Sequence, residues 1–141
     1  MENNAMITVR SIQQYEDNPP ETVELTTEGR IWDENGKICF SYQETELTGL
    51  SGTQTVFTLE QECIVLERKG NVTSRMEFRV GEHHKSLYDS TGLGSLMITV
   101  GTTEIENHME LTGGSLRVVY SIEIEDTGIG MVAYDITVIR R

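Results

Sequence analysis

The chain has little of almost everything that would betray its chemistry. Among 141 residues there are two cysteines, two prolines, three histidines and one tryptophan. Two cysteines cannot supply a disulfide framework. Cys39 and Cys63 fall in the phase opposite to Ile38 and Phe40, and to Ile64 and Leu66, and are expected as two free thiols in a cytoplasmic protein. His83 and His84 are adjacent and would point to opposite faces of a strand; with His108 and the two thiols they show no metal-ligand spacing, so neither metal nor cofactor is expected.

Long apolar runs are also missing. No segment approaches the roughly 20 apolar residues of a membrane helix. The stretch Met1 to Met6 lacks the basic start and apolar core of an export signal, which makes Asn71-Val72-Thr73 a coincidental glycosylation pattern. Basic residues are scarce, 11 against 23 acidic, for a formal net charge of −12. Such a surface repels phosphate backbones and anionic headgroups, so no nucleic acid and no membrane is expected as a partner. There is no Gly-x-Ser-x-Gly elbow. Thr48 to Thr55 is glycine-rich but lacks the Lys-Ser/Thr of a phosphate loop and precedes no helix. Asp126-Thr127-Gly128 matches an aspartic protease tripeptide but lacks its apolar lead-in, and reads as part of a hairpin turn.

What the chain does have is strict alternation. From Ser115 to Glu125, Leu116, Val118, Tyr120, Ile122 and Ile124 share one side, with Arg117, Ser121, Glu123 and Glu125 on the other. A period of two places one face of a strand in an apolar interior and the other in water. Similar segments are expected over 6–14, 21–32, 37–47, 53–59, 63–68, around Met76–Val80, and over 84–89, 95–100, 103–111, 115–125 and 131–139. Asn18-Pro19-Pro20, Asn35-Gly36, Lys69-Gly70-Asn71, Gly101, Gly113-Gly114 and Gly128-Ile129-Gly130 supply the turns. Roughly eight to ten strands joined by short loops predict a single all-β domain over residues 1–141, an antiparallel up-and-down barrel of calycin or lipocalin type. A chain of this length buries about 68% of the surface its unfolded form exposes, enough for a core without staples.

The same alternation picks out polar side chains where apolar ones belong. The phase of Ile38, Phe40 and Tyr42 continues to Glu44 and Glu46; that of Ile64 and Leu66 continues to Arg68. Tyr120 lies among apolar neighbours, Asn107 shares a face with Ile105 and Met109, and Tyr88 belongs to a strand too short to phase. Tyr42, Glu44, Arg68, Tyr88, Asn107 and Tyr120 are therefore the candidate site residues. A carboxylate and a guanidinium inside a barrel should pair or face enclosed water. They would serve either as an internal pair that fixes register or as contacts for the polar end of a ligand.

Three longer stretches carry a resemblance: Gly36 to Tyr42 running into Glu44-Thr-Glu-Leu-Thr-Gly-Leu-Ser-Gly-Thr-Gln-Thr55, Arg68 to Phe78, and Tyr88 to Gly94 with Gly113-Gly114 and Tyr120. Together they resemble the YwiB-type family of small proteins of low-GC Gram-positive bacteria. The resemblance implies a calycin-like barrel and no particular activity. Two features separate the chain from better-known calycins. Gly29 and Trp32 are one residue too far apart for the lipocalin Gly-x-Trp, and Tyr15 to Pro20 is too short for the helical lid of fatty-acid-binding proteins.

Three functions fit this reading. The first is a non-enzymatic barrel around a small, partly apolar or anionic molecule, with Arg68 as anchor, Tyr88 and Tyr120 as hydrogen-bond partners, and Phe40, Tyr42 and Met109 along the wall. The second is a barrel filled by Phe40, Tyr42, Phe57, Phe78 and Tyr120 that works on a protein partner through its outer surface. The third is an internal-cavity enzyme, with Glu44 as proton donor and Arg68 as substrate clamp by analogy to barrel decarboxylases.

Overall fold

The computed structural model describes residues 2–92, 94–125 and 129–141; the Asp126-Thr127-Gly128 turn lies outside them. Ten strands run in chain order: β1 Ala5–Tyr15, β2 Glu21–Glu34, β3 Lys37–Gln43, β4 Thr53–Leu59, β5 Ile64–Gly70, β6 Val72–Phe78, β7 His83–Ser90, β8 Gly94–Glu110, β9 Gly113–Ile124 and β10 Ile129–Arg140. Each pairs antiparallel with its neighbour in sequence, and β10 closes on β1. The result is a closed up-and-down barrel, as the alternation predicts. A 3-10 turn, Glu46–Thr48, takes the place of the expected end of β3 and leaves Glu46 exposed. The Thr45 side chain caps it and Gly49, at φ 77°, ends it.

The Asn-Gly hairpin forms as expected. Asn35 and Gly36 take φ 54° and 84°, and Asp33 accepts the Gly36 N–H at 3.1 Å. The glycine at 101 does not turn the chain. The two segments expected at 95–100 and 103–111 are one strand, β8, with a bulge at which Thr102 faces Tyr120 and Glu104 faces Val119. The extra residue inverts the phase, so Ile98, Val100 and Thr102 are inward before the bulge, and Ile105 and Met109 after it. Val80, expected in the buried phase of β6, lies past the end of that strand and is exposed.

Both cysteines are free. They stand outside the core cluster, as the phase predicts, and are nevertheless covered. Cys39 is flanked in register by Trp32 and Thr58, and the Arg30 guanidinium lies 4.6 Å over the Trp32 ring on this outer face.

The interior is filled over one half of its length. Phe40 stacks on Phe57 with ring centres 4.8 Å apart, Phe57 meets the edge of Tyr134 at 6.4 Å, Tyr134 neighbours Tyr120 at 6.2 Å, and Tyr120 packs on Phe78 at 4.7 Å. Five rings in contact make a rigid plug. Ile7, Ile31, Ile64, Leu66, Leu116 and Ile136 complete this half.

Candidate functional site

Above the aromatic plug the barrel is open. A cavity of about 340 Å³ is bounded by the later residues of β1 (Val9 to Tyr15), the end of β3, the middle of β5, the start of β8, the end of β9 and the start of β10. Thr48, Gly49 and Leu50 border it from the segment that contains the 3-10 turn. All five tyrosines of the chain line this space.

Register explains how residues far apart in sequence meet here. Tyr42 on β3 pairs with Thr55 on β4, Thr55 with Arg68 on β5, Arg68 with Ser74 on β6, and Ser74 with Tyr88 on β7. One hydrogen-bonded row thus carries five polar inward residues around the wall, because directly opposed residues share a face. Glu44, two residues beyond Tyr42, keeps the same phase and remains buried.

Arg68 is 6% exposed and Glu44 5%, and both line the cavity. The expected pairing between them is not formed: among the described residues there is no ion pair joining the two. Arg68 donates from Nη2 to the Tyr134 hydroxyl at 2.9 Å, and Glu44 accepts at Oε2 from the Thr55 hydroxyl at 2.5 Å. Thr55 stands between them in the sheet, so facing the same cavity does not bring the charges into contact. Arg68 Nε and Glu44 Oε1 are buried and have no partner. Burial works against the Arg68 charge, but Tyr134, Tyr120, Tyr42 and Glu44 outweigh it and hold the guanidinium above its ordinary range. Burial also pushes the phenols of Tyr120 and Tyr42 well above theirs, with Tyr134 the next cause for the former and Glu44 for the latter. Tyr15 and Tyr88 are raised as well, chiefly by burial.

Of the six residues singled out in the sequence, Tyr42, Glu44, Arg68, Tyr88 and Tyr120 share this cavity. Asn107 does not. It is exposed on the part of β8 beyond the bulge, and its Oδ1 accepts the Met109 N–H of its own strand at 3.0 Å. Phe40 and Met109, expected along the wall, lie in the filled half. Three participants escaped the sequence reading. Tyr134 shares its phase with Val132 and Ile136 and passes for a core residue, Thr55 does the same between Thr53 and Phe57, and Tyr15 closes β1. Tyr15 lies flat on Gly130, its register partner on β10, where a side chain would displace the ring. No group of three or more His, Cys, Asp or Glu side chains suited to a metal ion occurs among the described residues. None of their helices is long and apolar enough to cross a membrane.

Comparison with known structures agrees with the architecture. The chain superposes on the crystal structure of ywiB protein from Bacillus subtilis with a TM-score of 0.86 and 19% sequence identity, covering 99% of this chain and 92% of that one. At that identity the likeness speaks for the fold. No curated protein matches the chain. The family model described as a domain of unknown function, DUF1934, matches residues 7–136. That match takes in the barrel from β1 into β10, every cavity residue included, and the chain belongs to this family, which is the YwiB type.

Proposed function

We propose that the protein is a non-enzymatic cytoplasmic barrel that holds one small amphiphile, its anionic end on Arg68 and its apolar part toward the mouth. The observation that carries this reading is a buried guanidinium at the cavity wall with one protein partner, Tyr134, and an unused Nε donor. A guanidinium presents five donors in a rigid fork suited to a carboxylate or similar anion. The surroundings have the composition of a ligand pocket, apolar walls with few convergent polar groups. Val9, Val23, Leu96, Ile98, Ile122 and Ile124 supply the apolar contacts. At roughly 30 Å³ per water-sized group, 340 Å³ accommodates about a dozen non-hydrogen atoms.

An open half-barrel weighs against the filled-barrel reading, in which only the outer surface would act on a protein partner. The catalytic reading uses the same Glu44 and Arg68, and no second observation favours it.

Titration calorimetry with ten-carbon carboxylic acids and with decanol tests the proposal. The acids should bind at one per chain and at least tenfold more tightly than the alcohol, and Arg68→Met should abolish the preference. Failure of every acid to bind would contradict the reading.

A further inference from the structure

Arg68 is not the only unfilled group in the cavity. Glu44 offers a buried acceptor, Oε1, with no hydrogen bond of good geometry, while its other oxygen is taken by Thr55 and the Tyr42 phenol is its polar neighbour. Arg68 Nε is an equally buried donor without a partner. Both residues line the same space, on opposite sides of Thr55: Glu44 follows β3, Thr55 is on β4 and Arg68 on β5. Neighbouring strands lie about 4.8 Å apart, so about 10 Å separates the two backbones across β4, and the long side chains of Glu44 and Arg68 reach toward each other along the wall of one cavity.

Resting on the proposed ligand-binding function, we infer that the head group combines an anion for Arg68 with a hydrogen-bond donor for Glu44, as in a medium-chain hydroxy acid or amino acid. A plain fatty acid satisfies Arg68 and leaves Glu44 Oε1 dry and unpaired. Sites that hydrogen-bond a substrate hydroxyl or amine discriminate strongly against the analogue lacking it, because their own polar group is then stranded. The aromatic plug beneath Tyr134 and Tyr120 closes the floor. The head therefore sits deep, and the chain extends along Ile98, Ile122 and Ile124.

Calorimetric titration of the full-length protein with decanoate, 3-hydroxydecanoate and 2-aminodecanoate distinguishes the two levels of the argument. At least one substituted acid should bind tenfold or more tightly than decanoate, and which one does identifies the donor as hydroxyl or ammonium. Glu44→Met should bring that ratio close to one; Glu44→Gln, closer in shape, serves if the methionine variant does not fold, and should reduce the ratio at least severalfold. Equal binding of all three acids to the wild type, or a ratio untouched by either Glu44 variant, overturns the inference and leaves the proposed function standing. No binding of any acid overturns both.

Discussion

Arg68 concentrates the question of whether the inner polar groups serve structure or a ligand. In a structural ion pair, removing one partner strands the other and costs about 3–5 kcal/mol. Here the guanidinium has no hydrogen-bonded carboxylate and one unpaired buried donor, while the phenols and Glu44 around it favour its charge. Arg68→Met is expected to cost less than the loss of an ion-pair partner, within about 2 kcal/mol of the wild type, read from the urea midpoint. A loss of 3 kcal/mol or more would make Arg68 a structural member. The phenols give a second residue-scale expectation. Tyr42 and Tyr120 are held well above their ordinary range by burial, whereas in the unfolded chain they ionise near pH 10. The folded state then binds more protons above that pH. The contribution is intact below pH 10 and declines as pH rises toward the folded values. Urea midpoints should fall from about pH 10 upward, and the native protein should ionise fewer phenols there than the denatured one by absorbance near 295 nm. Equal titration of both states would contradict the burial.

At the level of elements, alternation reveals the strands but not the distances between the residues they carry. It gives the inward faces of β3, β5 and β9, and with them Tyr42, Glu44, Arg68 and Tyr120. It does not tell that Thr55 intervenes between Glu44 and Arg68, because pairing register belongs to the sheet and not to any one strand. The bulge in β8 marks another limit: the sequence shows the phase inversion, which looks like two strands, while the structure absorbs it in one extra residue. Asn107 is in phase but lies past the bulge, where the cavity has ended. Glycines are similarly ambiguous in sequence. Gly29 sits inside β2 where an added Cβ would overlap Ile7 and the Ser41 carbonyl; the overlap with backbone cannot be relieved by a rotamer change. Gly29→Ala should therefore cost about 1–3 kcal/mol. At Gly101 the atoms that a Cβ would meet belong to the side chains of His83 and Ser121, which can turn aside. Gly101→Ala should cost less than Gly29→Ala in the same denaturation assay; the reverse order would contradict the packing described for β2.

The whole molecule is a barrel with an aromatic plug in one half and, in the other, a largely apolar cavity that carries a few buried polar groups. Most of the closed architecture is legible from period-two patterning and turn residues alone. The division into filled and open halves is not, since it depends on how five rings from β3, β4, β6, β9 and β10 meet across the lumen. Both cysteines belong to the outer wall and are covered, and burial raises both thiols. Native protein should resist alkylation, and the unreduced, denatured chain should take two labels; a denatured chain taking none would indicate a disulfide. The central claim is that the open half holds an organic acid through Arg68. Native mass spectrometry of protein purified from its own host tests it most directly. The account predicts one non-covalently held organic acid on the wild type that the Arg68→Met variant lacks; bare polypeptide in both, or the same adduct on both, would contradict it.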